Sequence, residues 1–111
     1  MDTKLNYSEI IKKVLCNYAK LFVQLGVPPK RTLFADNEQN FMVLDIGWYG
    51  NKYIHNATIH IEIIDHKLWI HNDDTEDGIA DDLVEAGIPA KDIVLGFRHP
   101  KVRPHTQFAV E

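Results

Sequence analysis

The chain holds a single cysteine, Cys16, among 111 residues, so an internal disulfide is excluded and a reducing compartment is permitted. Cys16 falls within a helical pattern and is expected as a small buried hydrophobe. Serine is equally scarce. Ser8 is the only one, at the start of that helical pattern with no base nearby in sequence, which argues against a serine nucleophile. No apolar run approaches the ~20 residues of a membrane-spanning helix. The segment from Met1 to Asn6 lacks the charged-then-apolar layout of a secretory signal, so a cytoplasmic protein is expected. Positive charge is in deficit. Lys and Arg number 12 against 16 Asp and Glu, a net charge of −4 that is a poor global match to nucleic acid. Phosphate-loop and dinucleotide fingerprints are missing, as are repeats, low-complexity tracts and linkers. With 45% apolar residues, residues 1–111 are expected to form a single domain around one modest core.

What is present is concentrated between Asp73 and Phe97. Asp73, Asp74 and Thr75 can each cap a helix start. Glu76 and Asp77 suit the positive end of its dipole. Ile79, Ala80, Leu83 and Val84 lie on one stripe, and Asp77, Asp81, Asp82 and Glu85 fill the opposite side. Gly87 suits the left-handed position after the last turn, Ile88 the apolar contact of a Schellman motif back on Leu83, and Pro89 prevents continuation. These signals predict an acidic helix over 76–86, followed by an apolar run. Its carboxylates diverge along one face and do not converge on a point, which disfavours a Mg²⁺ nuclease site. The face reads as a solvated surface or as a docking site for a basic partner.

Apolar residues from Tyr7 to Phe22 recur at spacings of three and four, predicting a first helix over Leu5 to Phe22 that Gly26 to Pro29 ends. Strands are predicted over Arg31 to Ala35, Phe41 to Trp48, Tyr53 to Ile64 and Lys67 to His71, with Gln107 to Val110 as a last short strand. A two-residue turn at Asp65-His66 pairs Ile63 with Leu68, Glu62 with Trp69, Ile61 with Ile70 and His60 with His71. One face then carries Ile59, Ile61, Ile63, Leu68 and Ile70, to pack on the helices. The other carries His60, Glu62, Trp69 and His71. The fold class is α+β: a helix, an antiparallel meander of about four strands, and a second helix.

Three readings of chemistry follow. His60, His71 and Glu62 are weak candidates for a metal site, since sequence spacing does not supply a tetrahedral ligand set, and no metal or cofactor is expected. Trp69 on the face away from the core calls for a cover, either a second subunit or partner, joined by Trp48, or the C-terminal tail folded over it. Arg98, Lys101 and Arg103 can touch DNA phosphates only weakly, and offsetting the acidic helix is the preferred role.

The chain also resembles the XisI-like family, named for a controlling factor in excision of the fdxN element. The resemblance rests on Gly47-Trp48, His60 with Ile61 and Ile63, Lys67 to Ile70, Thr75 to Ala80 with Leu83-Val84, Gly87-Ile88-Pro89, and Asp92 to Phe97. Pro100, Arg103, Thr106, Phe108 and Ala109 extend it into the tail. The departures are Asp65-His66, where Asp-Gly is usual, and Asp74, where a Gly usually precedes the Thr-Glu pair. The resemblance implies an accessory protein, not an enzyme, paired with an XisH-like, nuclease-related protein, and it supplies no catalytic residues. Partner-binding residues are expected among Trp69, His60, His71, Trp48, Asp77, Asp81, Asp82 and Glu85, with a homodimer expected and nucleic acid contacted only indirectly or weakly. The alternatives are direct DNA binding by the tail and an immunity-type partner that restrains a nuclease toxin.

Overall fold

The structure, a computed structural model, describes residues 6–21, 26–35, 37, 39–75 and 78–111. Helix α1 (Tyr7–Leu21) precedes four strands, β1 (Lys30–Ala35), β2 (Asn40–Tyr49), β3 (Lys52–Ile64) and β4 (Lys67–Asp73). Helix α2 (Ile79–Glu85), a 3₁₀ turn at Ala90–Asp92, strand β5 (Ile93–Leu95) and a second 3₁₀ turn at Arg103–His105 follow. The sheet order is β1-β2-β3-β4-β5, antiparallel up to β4, with β5 parallel to β4. The first helix expected over Leu5 to Phe22 is seen over Tyr7–Leu21, and both predicted end residues lie outside the described set.

Alternation along the strands decides which face is buried. Phe41, Val43, Ile59, Ile61, Leu68 and Ile70 are fully buried on one face, against Ile11 and Leu15 of α1 and Ile79 and Leu83 of α2. Burial of side chains of this size contributes on the order of 2 kcal/mol each. The smallest dimension of the molecule is 24 Å, the thickness of one helix layer on one sheet. Among the described residues, no helix is long and apolar enough to cross a membrane.

The Asp65-His66 turn holds the predicted register. Both residues adopt positive φ, 50° and 67°, which a two-residue hairpin of primed type requires. Ile63 pairs with Leu68, Glu62 with Trp69 and Ile61 with Ile70, as the sequence predicts. His60, however, pairs with Asn72 and not with His71. A β-bulge inserts His71 as an extra residue, and alternation of polar residues cannot reveal such an insertion.

Helix α2 starts later than the predicted position 76. Its N-cap is Gly78, with no side-chain cap of its own, and Glu76 and Asp77 lie outside the described residues. The work of capping passes to Asp73, six residues upstream of the helix. Its Oδ2 accepts from the Ile79 N–H at 2.8 Å, and its Oδ1 accepts from the Thr75 N–H at 3.0 Å and the Thr75 hydroxyl at 2.5 Å. The C-terminal stop follows the predicted Schellman geometry. The Ile88 N–H donates to Leu83 O at 3.1 Å and the Gly87 N–H to Val84 O at 3.0 Å, with Gly87 at φ 116° and Ile88 buried. The short C-terminal strand is Ile93–Leu95 and not Gln107 to Val110, where the backbone makes one isolated bridge, Ala109 to Val94.

Candidate functional site

Away from the helices, His60, Glu62, Trp69 and His71 share one face, as predicted, despite the bulge. The His60 and His71 rings are 5.0 Å apart, and His71 Nε2 lies 2.9 Å from Glu62 Oε1. His60 Nε2 lies 2.8 Å from Asn40 Oδ1. Burial lowers the His60 pKa, the neighbouring His71 lowers it further, and Glu62 opposes both. The ring therefore favours its neutral form, and its amide neighbour can serve either tautomer. Among the described residues, no group of three or more His, Cys, Asp or Glu is placed to hold a metal ion.

Trp69 is half-buried, and its cover is the C-terminal segment. The Arg103 guanidinium lies 5.3 Å from the indole centroid. Gly96 lets the chain pass close beneath, since a Cβ there would meet Ile70 O at 3.1 Å and Trp69 Cε3 at 3.2 Å. Arg103 Nε donates to Leu95 O at 3.3 Å and Arg98 O at 3.1 Å, Nη1 to Val110 O at 3.2 Å and Nη2 to Gly96 O at 3.4 Å. Its donors thus fasten the tail. Arg98 lies over the Phe97 ring at 5.2 Å, and Lys101 is exposed. Arg103→Ala is expected to lower stability by about 2 kcal/mol, because several charge-assisted bonds are lost from a partly wet site. Arg103→Lys will not restore it, since an ammonium cannot reproduce the planar fork. Urea unfolding measures both variants. Unchanged stability of Arg103→Ala would show that the guanidinium does not hold the tail.

The carboxylates of Asp81, Asp82 and Glu85 lie exposed along α2. Beside them runs an open groove between the helices of ≈ 320 Å³, lined by Val14, Asn17, Tyr18 and Leu21 of α1 and by Asp82, Glu85 and Ala86. Leu21 is 78% exposed at its end. The arrangement is an apolar floor with an acidic rim, complementary in charge to a basic, partly apolar segment.

Sequence reasoning missed one polar cluster under the helix layer. Lys30 Nζ donates to Asp45 Oδ1 at 2.9 Å, with side chains only 13% and 16% exposed. The Thr58 hydroxyl donates to Asp45 Oδ2, and Lys30 Nζ lies 5.7 Å from the Tyr18 ring centroid. A second β-bulge, at Thr58, turns that hydroxyl inward. The available signal was Asp45 itself, a charge at an inward position of an otherwise apolar alternation. Tyr7 ties the far end of α1 to Asp92 at 2.5 Å, and burial together with that carboxylate pushes its phenol up to about 12.

The XisI protein family matches the chain over residues 1–110. Among solved structures, an XisI-like protein from Anabaena variabilis superposes with a TM-score of 0.84 at 32% identity, covering 95% of this chain and 96% of that one. The fdxN element excision controlling factor XisI from Anabaena variabilis superposes with a TM-score of 0.79, also at 32% identity and over 95% and 96% of the two chains. No curated protein sequence matches the chain. A family match over nearly the whole length, with the same fold at 32% identity, places this chain in the XisI family.

Proposed function

We propose that this protein is a non-enzymatic accessory factor of DNA-element excision that acts by contact with an XisH-like, nuclease-related partner. Family membership supports the setting, since a similar protein carries the name of an excision controlling factor. The observation that carries the contact is the acidic rim of Asp82 and Glu85 on the α1–α2 groove, with Asp81 exposed next to it on α2. A rim of one sign beside an apolar floor steers a basic segment into register. The tail basic residues support a DNA role less well, because Arg103 spends its donors on backbone carbonyls.

Capture of an XisH-like chain by the full-length protein tests the reading. The expected result is retention of that partner, weakened at least about tenfold by Asp81→Lys combined with Glu85→Lys. Both positions are exposed, so the fold should survive and circular dichroism will check it. Failure to retain any XisH-like chain from the native host, or retention indifferent to the charge reversal, overturns the proposal.

A further inference from the structure

The outward positions of β1, β2 and β3 are far more apolar than a solvated sheet face needs to be. Strand β2 turns Phe41 and Val43 to the core, yet Met42, Leu44, Ile46 and Trp48 alternate with them on the other side. A strand that is apolar on both faces is the pattern of a strand covered on both faces. Leu33 of β1, 46% exposed, pairs with Met42. Tyr53 of β3 pairs with Trp48, their rings 5.2 Å apart and edge-on, at 53% and 66% exposure. The tail meets this face at β4, where Arg103 lies on Trp69.

We infer that this open sheet face pairs with the same face of a second copy of the chain, giving an isologous sheet-on-sheet dimer. Charge selects that occupant. By register and alternation, the fixed charges at outward positions of β1–β3 are Arg31 and Glu62, one of each sign, in a chain whose net charge is −4. The exposed carboxylates of α2 lie on the opposite layer, so face-to-face pairing brings neutral surfaces together and holds the acidic layers apart. Area agrees. Three strands spaced ~4.8 Å apart and ten residues long at ~3.3 Å each project about 500 Å². Side-chain relief raises the accessible area toward the ~800 Å² per partner of a stable complex. Two twisted sheets stack readily at about −30°, which lets a two-fold axis pass through the middle of β2. The Trp48–Tyr53 pair stands at the hairpin end as the aromatic anchor. Pairing through the β1 edge is the rival geometry, and the exposed Arg31 at the start of that strand works against it.

The dimer goes beyond the partner contact proposed above and uses the other layer, so each reading can fail alone. Sedimentation equilibrium of the full chain at micromolar concentration is expected to give twice 12.8 kDa. Leu44→Lys and Trp48→Glu should each weaken self-association at least about tenfold while leaving circular dichroism unchanged. Should either variant misfold, the wild-type chain supplies the second readout: dilution should redden tryptophan emission as Trp48 meets water. A monomer at all concentrations, a dimer indifferent to both substitutions, or emission independent of dilution overturns the inference. Charge reversal on α2 should leave the dimer intact, which separates this result from loss of the partner contact.

Discussion

Asp45→Ala is expected to lower stability by about 3 kcal/mol, because it leaves the Lys30 ammonium at a nearly dry site with no carboxylate. The cluster is built from three neighbouring strands. Lys30 comes from β1, Asp45 from β2 and the Thr58 hydroxyl from the bulge in β3, with Tyr18 of α1 packed against the ammonium. The bulge that presents Thr58 also frees backbone groups, and these are claimed in turn. Asn72 Nδ2 donates to Ala57 O at 2.7 Å and to Thr58 O at 3.2 Å, and the Asp74 N–H donates to Thr58 O at 2.8 Å. Removing the carboxylate therefore disturbs a satisfied polar network, and such networks fail as a unit. Combining Asp45→Ala with Lys30→Met should recover more than half of the loss, because both charges go and apolar volume replaces them. Urea unfolding of the two single variants and the double variant reads this directly. If Asp45→Ala costs less than about 1 kcal/mol, the pair behaves as a surface ion pair and the assigned burial is mistaken.

That cluster also shows where sequence reading stops. Alternation in β3 and β4 told the core face from the open face, since Ile59, Ile61, Leu68 and Ile70 are buried as read. The two-residue turn told the register as far as Ile61. Beyond it, His71 enters as an inserted residue among polar neighbours, and polar residues on a half-wet face carry no periodicity to break. The start of α2 was ambiguous for a different reason. Asp73, Asp74 and Thr75 are all chemically able to cap, and only the chain path shows that Asp73 reaches over to Ile79. Pro100 and Pro104 keep most of the tail out of regular structure. Its order comes from Arg103 and the carbonyls of Leu95, Gly96, Arg98 and Val110, a cage invisible to any local rule. Among the site residues, the acidic face of α2 was legible because helical spacing alone places Asp81, Asp82 and Glu85 together. The groove beside it was not, because it needs the packing of α1 against α2.

Gly47→Val is expected to lower stability by about 3 kcal/mol and to disturb the hairpin that carries Trp48. Gly47 marks the family resemblance, yet nothing in its local sequence says why the position excludes a side chain. The structure supplies two reasons. Its φ is 141°, a conformation that costs an L-residue roughly 1–3 kcal/mol. A Cβ there would also lie 2.9 Å from Pro28 Cβ and 3.1 Å from Pro28 Cγ. That ring is buried and cannot swing aside, so the overlap adds overpacking of about 1–3 kcal/mol. The two penalties act at the point where β2 passes over the loop that joins α1 to β1. Relief must come from lifting β2 off Pro28, and the segment next along the strand is Trp48 and Tyr49. Gly47→Ala should recover little, because its Cβ already makes both contacts. Pro28→Ala in the Gly47→Ala background should recover part of the loss, since Cγ is removed, but none of the φ strain. Thermal unfolding of the three variants separates steric from conformational cost. Full rescue by Pro28→Ala would leave no role for backbone strain at Gly47. The self-association inferred above should weaken in Gly47→Val even at temperatures where the core remains folded, because the aromatic end of the open face moves with the strand.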